Sequence, residues 1–329
     1  MDTELAARKN VSGNRRALSG LRPALYISIV LSVVLAAYAY KLRTEGIFAC
    51  LADGYTSDRY LAYCHAGGYG DYEHGAFWFG LEPPTRDSVA NAEVLFIGSS
   101  RLQIALSTVA TTEWFSSDPV RYFLMGFGYT GNVVFEGELL RKFKPHAKVY
   151  VINVEQFFDR RESQPVRTVM RDSSARNHYE VKRIWQLVHE STCKRFPALC
   201  GKRYTIFRSR ETGAYHLSGL GEFEGRPVSY DRTIDRAAAE NEAAIGRGFL
   251  SELSVKPDCV ILTMAPSGGT ELGTANAIAS ALGMTLLIPK IDGLQTFDGS
   301  HLNRTSAERW SDAFFKAAGP QIRRCVNKP

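Results

Sequence analysis

The chain has 329 residues, 45% hydrophobic and 22% charged, an ordinary globular composition with enough apolar residues for a sizeable core. Its length suits one α/β domain with insertions. The formal net charge is +6, but half of that excess lies in residues 1–22, and the mildly basic remainder gives no argument for nucleic acid.

That N-terminal stretch carries Arg8, Lys9, Arg15, Arg16 and Arg22 against Asp2 and Glu4, and reads as a cytoplasmic basic tail. Residues 23–41 follow as a transmembrane signal anchor: PALYISIVLSVVLAAYAY contains no charge and is near the lower length limit for a spanning helix. The excess of Lys and Arg before it favours a cytoplasmic N-terminus and an exported body. A cleaved signal peptide competes, because Ala37-Tyr38-Ala39 matches a small-residue cleavage pattern. A buried soluble helix would need a polar face, and only Ser28 and Ser32 offer one. All six cysteines lie after this segment, which suits an oxidising compartment. Proximity suggests the pairs 50–64, 193–200 and 259–325 among 15 arrangements, with free thiols as the alternative for any one pair.

Residues 42–91, rich in glycine and aromatics, read as a lead-in packed on the domain. From residue 92 short apolar runs alternate with helical patterns. Strands are expected at 94–97, 121–125, 148–154, 259–264 and 284–289, with helices at 131–143, 232–254, 270–283 and 305–319. Asp231 is the candidate N-cap of the long helix, and Thr305-x-x-Glu308 is a capping box for the last one. This alternation predicts a mainly parallel sheet covered on both faces, a three-layer α/β/α domain over 92–329. Ligand sites in such sheets lie at the carboxyl ends of the strands, here the loops opening at Gly98, Gly126, Gln156, Ala265 and Lys290. Residues of about 157–230 interrupt the alternation as an inserted cap. A cleft-shaping cap and a plain surface insertion both fit that segment.

Three stretches hold candidate chemistry. The first strand ends VLFIGSSR, and its serines suit a helix cap, a phosphate site or a nucleophile. It lacks the second glycine of G-x-S-x-G. The second strand ends Gly126-Phe127-Gly128-Tyr129-Thr130-Gly131, a literal G-x-G-x-x-G with Glu155 24 residues beyond it. A dinucleotide site is disfavoured there, because the match follows the second strand, the acid comes late, and an exported protein has little access to nicotinamide cofactors. The third stretch is LQTFDGSHLNRTSAERW, where Asp298 and His301 stand three apart before a capped helix. One tight turn can bring the carboxylate to imidazole Nδ1 and leave Nε2 as a base. None of His65, His74, His146, His178, His189 or His216 forms a metal pattern such as H-E-x-x-H, and no cofactor is expected. His74, beside Glu73, is weighed as a cleft residue against a satisfied core histidine.

Gly98-Ser99-Ser100 and Asp298-Gly299-Ser300-His301 sit at opposite ends of the alternation, and over about residues 92–320 the chain resembles the SGNH, or GDSL-like, hydrolase superfamily. It is most similar to membrane-anchored exported members related to polysaccharide O-acetyltransferases. The resemblance implies a flavodoxin-like fold, with Ser100 as nucleophile, His301 as base and Asp298 as its partner, and with Ser99 in place of the family's aspartate. It also implies an oxyanion hole from the Ser100 and Gly128 amides, with Asn153 and Gln156 as the nearest side-chain amides, since no Gly-x-Asn-Asp block occurs. The implied activity is extracytoplasmic hydrolysis or O-acyl transfer on envelope carbohydrate esters, at a bacterial-type inner membrane with the domain in the periplasm. A membrane-bound acyl-donor protein is the implied partner. A catalytically silent carbohydrate-binding or scaffolding component is the alternative.

Overall fold

The computed structural model describes residues 4–65, 69–129, 131–219 and 225–327. In chain order the elements begin with α1 (Glu4–Thr44), β1 (Arg59–Cys64), β2 (Gly70–Asp71), α2 (Glu73–Phe79), α3 (Pro83–Asn91), β3 (Val94–Ser99), α4 (Ser100–Leu106) and α5 (Val109–Ser117). Next come β4 (Tyr122–Phe127), α6 (Val133–Phe143), β5 (Val149–Asn153), α7 (Gln164–Arg171), α8 (Ala175–Arg195), β6 (Thr205–Ser209) and β7 (Tyr215–Ser218). The chain ends with β8 (Arg226–Pro227), α9 (Arg236–Glu252), β9 (Val260–Thr263), α10 (Leu272–Ala281), β10 (Leu286–Leu287), β11 (Gln295–Thr296) and α11 (Arg304–Val326).

Five strands form one parallel sheet in the order β10-β9-β5-β3-β4. Numbered along the chain, this is the doubly wound order 2-1-3-4-5, whose switch point lies between the first and third strands, here β3 and β5. The strands are apolar almost throughout because helices cover both faces. Leu95, Ile97, Phe123, Met125 and Ile152 point into a core completed by α2, α6, α9 and α10. Their neighbours Val94, Phe96, Leu124 and Val151 point the other way, against α4, α5 and the Trp310, Phe314 and Phe315 side chains of α11.

The lead-in and the insertion are not separate accessories. Strand β1 of the lead-in pairs antiparallel with β6 of the insertion, giving a four-stranded sheet in the order β2-β1-β6-β7. Cys50–Cys64 and Cys193–Cys200 staple this cap, and Cys259–Cys325 ties the start of β9 to the end of α11. These are the pairings that proximity suggests. Pro23–Thr44 is long and apolar enough to cross a membrane and none of it is buried, which with the disulfides fits a single-pass protein with an exported domain.

Two expected caps are corrected. Asp235, not Asp231, caps α9 by accepting the Ala238 amide at 3.0 Å, while Asp231 accepts the Thr233 amide in the preceding turn. Asn303, not Thr305, caps α11 through the Ser306 amide at 2.9 Å. Glu308 instead accepts the Val109 and Ala110 amides, each at 2.9 Å, and so caps the neighbouring helix α5. Helix α11 also runs past the expected end at residue 319, through Pro320, to Val326.

Candidate active site

Strand β3 delivers two serines to the switch point, and each takes a different task. Gly98 has φ 143°, and a Cβ there would lie 2.7 Å from Asn153 Cβ, so only glycine lets β3 and β5 converge. Ser99 is the N-cap of α4, its Oγ accepting the Arg101 amide at 3.3 Å. Ser100 is the first residue of that helix, and its Oγ lies 2.9 Å from His301 Nε2.

On the other side of the ring, His301 Nδ1 is 2.7 Å from Asp298 Oδ2. Asp298 Oδ1 accepts the Ser300 and His301 amides at 2.8 and 2.7 Å, so the D-x-x-H turn closes on its own carboxylate. Partial burial raises the Asp298 pKa, but the His301 hydrogen bond and charge and the two amides outweigh it and bring the carboxyl down to about 2. The Phe297 ring stacks on His301 at 5.6 Å between centres. The loop is fixed from outside by β11 pairing with β8 and by the Gly268 amide donating to Gly299 O at 2.9 Å.

Arg101, which the sequence reading passes over, locks this geometry. Its Nε donates to Ser300 Oγ at 2.8 Å and its guanidinium pairs with Glu155 beyond β5. One side chain thus ties the nucleophile helix, the switch-point strand and the histidine loop. The only hint in sequence is the arginine directly after two serines. Glu155 is engaged with Arg101, and Gly131 is required because a Cβ there would lie 2.3 Å from Gly98 O. Both features of the G-x-G-x-x-G match thereby have packing explanations.

The expected oxyanion residues separate into two groups. As the first residue of α4, Ser100 has an amide without an intrahelical acceptor. Asn153 is fully buried, with Oδ1 accepting the Ala265 amide at 3.0 Å and Nδ2 donating to Ser99 Oγ at 3.3 Å, so its amide plane is fixed at the switch point. Gly128 does not offer its amide to the site, because that N–H donates to the buried Glu73 carboxylate at 3.2 Å. Glu73 is held by Arg208 at 2.8 Å and by the Tyr215 hydroxyl at 2.6 Å. Gln156 is exposed at φ 53°, and no hydrogen bond joins it to the triad among the described residues. Thr130, named with Gly128 in the sequence reading, lies outside the described residues.

His74 is a core histidine: fully buried, 3.2 Å from Asp71 and packed on Phe127 and Phe135. The cap contributes tyrosines instead. Tyr63 hydrogen-bonds Tyr129, with ring centres 6.4 Å apart, and Tyr204 lies within electrostatic reach of Asp298. His189 with Cys193 and Cys200, and Asp258 with Cys259 and Cys325, cluster like metal ligands, but each pair of sulfurs is a disulfide and carries no thiolate. No family model, curated protein or solved structure matches the chain. The functional reading therefore rests on the geometry: a hydroxyl, an imidazole and a carboxylate in line, a nucleophile and base oriented by a third group.

Proposed function

We propose that the protein is an SGNH-type serine acyl hydrolase or O-acyltransferase, anchored at a bacterial-type inner membrane and acting on envelope carbohydrate esters in the periplasm. The observation that carries this reading is the Ser100–His301–Asp298 relay of 2.9 and 2.7 Å at the switch point of a parallel sheet. In this mechanism His301 takes the Ser100 proton as Oγ attacks the ester carbonyl. Asp298 holds the imidazole in the tautomer with Nδ1 protonated and steadies the imidazolium. The oxyanion is received by the Ser100 amide and the Asn153 side chain, and the proton on His301 then passes to the departing alcohol. Water completes hydrolysis and a sugar hydroxyl completes transfer; the first half-reaction is common to both.

The tyrosines at the cap rim support a carbohydrate over a small free ester, since their amphipathic rings offer both an apolar face and a hydroxyl. A fluorophosphonate probe is expected to label the wild-type chain and to leave Ser100→Ala unlabelled. Equal labelling of the two would remove Ser100 as nucleophile. The Gly128 amide held by Glu73 favours a second reading, a silent carbohydrate-binding component. Sugar binding that is unchanged in Ser100→Ala and His301→Ala, without any ester turnover, would select that reading.

A further inference from the structure

Helix α8 presents two apolar stripes. Tyr179, Gln186, His189 and Cys193 face the cap interior, whereas Val181, Ile184, Trp185 and Val188 recur at i, i+3, i+4 and i+7 on the outside. These four side chains are between 39% and 60% exposed, and Phe196 and Leu199 extend the patch past the helix end. A contiguous exposed apolar strip on an otherwise charged helix marks an interaction surface.

Its position names the occupant. The anchor ends at Thr44, and the next turn, Gly46–Ala49, is clamped to the patch: the Gly201 amide donates to Phe48 O at 2.7 Å, and the Phe48 ring stands edge-on to Trp185 at 6.5 Å. The end of α1 also touches the turn Pro197–Leu199. Cys50–Cys64 and Cys193–Cys200 fix both sides of this junction. Four residues separate Thr44 from Phe48, at most about 14 Å of chain, so the strip cannot leave the membrane surface while the anchor spans it. Between residues 176 and 203 there are seven basic side chains against two acidic ones, which suits anionic headgroups.

We propose that the outer face of α8, with Phe196 and Leu199, lies in the interfacial layer of the bilayer that α1 spans, seating the cap on anionic lipid. This rests on α1 being the anchor. The arrangement is that of an interfacial amphipathic helix, with Trp185 at headgroup depth and the basic residues among the phosphates. The catalytic domain is then held at a set tilt to the membrane rather than swinging on a tether.

The test is the full-length chain reconstituted, at low protein density, in vesicles of phosphatidylcholine and phosphatidylglycerol with brominated acyl chains. Tryptophan fluorescence is expected to be quenched, and Trp185→Phe to lose most of that quenching, since the other three tryptophans sit in the folded domain. Ile184→Glu/Val188→Glu, both at exposed positions, is expected to release Trp185 to aqueous acrylamide while cap disulfides and fluorophosphonate labelling stay intact. Equal quenching in wild type and Trp185→Phe would overturn the docking. So would acrylamide shielding of Trp185 that appears only at high protein density, which would assign the strip to a second copy. Retention on the vesicles through an alkaline carbonate wash reports the anchor separately. A chain that washes off overturns the anchor reading, whereas a retained chain with unquenched Trp185 overturns the docking alone.

Discussion

At residue scale the division of labour between Ser99 and Ser100 depends on Arg101. Ser99 spends its hydroxyl on the helix cap, which frees Ser100 to meet His301, but the histidine loop must also be held at that distance. Arg101 holds it through a fork: Nε goes to Ser300 and another nitrogen to Glu155. A lysine is a point charge on a flexible stem and cannot serve both partners in one geometry. Arg101→Lys is therefore expected to keep fluorophosphonate labelling of Ser100 but to slow it about ten- to a hundredfold, the loss that small misplacement of a catalytic pair brings. With a turned-over ester the loss should fall on kcat rather than KM, because Arg101 acts by positioning. Labelling at the wild-type rate would show that the loop keeps its place without the arginine.

Between elements, the end of β3 is held by an acid from α6. The fully buried Glu136 accepts the Gly98 amide at 2.9 Å through Oε2, while Oε1 has no partner among the described residues. Burial pushes its carboxyl well above the usual range. The Gly98 amide and the Arg208 charge oppose that rise, and the Glu73 charge adds to it. The folded chain thus keeps a proton that the unfolded chain releases above its ordinary pKa of 4.5. The stability from this group is complete below that value and declines as pH rises toward the folded pKa. Glu136→Gln keeps an oxygen for Gly98 but cannot ionise, so it is expected to flatten the decline in unfolding free energy between about pH 5 and pH 8 measured with denaturant. A decline as steep as in wild type would assign the titration elsewhere. The strand itself was legible, since VLFI is a continuous apolar run, and so was D-x-x-H, since its three-residue spacing is closed by a local turn. The capping residues around α9 and α11 were not, because several Asp, Asn and Thr residues stand near each helix start and only tertiary packing chooses among them. The loss of Gly128 as a donor was invisible for a related reason: its acceptor, Glu73, lies 55 residues earlier.

The whole molecule is stitched across that same distance, which is why a boundary drawn at residue 92 does not mark an independent domain. The alternation from 92 onward contains the entire parallel sheet, yet Phe77 of α2 packs on Phe123 and Phe127 of β4, and Tyr60 and Tyr72 are buried in the same core. Strand β1 supplies the hydrogen-bonding partner of β6, and Glu73 supplies the counter-charge of the buried Arg208. Each large apolar side chain contributes about 1.5–3 kcal/mol when buried, so losing Tyr60, Leu61, Tyr72 and Phe77 removes an amount comparable to a domain's whole net stability of about 5–15 kcal/mol. Leaving Arg208 buried without Glu73 costs about 3–5 kcal/mol more. A chain of residues 92–329 is accordingly expected to lack near-UV circular dichroism and to be digested rapidly by protease. A chain of residues 45–329, which loses only the anchor and the tail, should unfold cooperatively and label at Ser100. A cooperative, protease-resistant 92–329 fragment would show instead that the cap is a removable layer and that the parallel sheet carries its own stability.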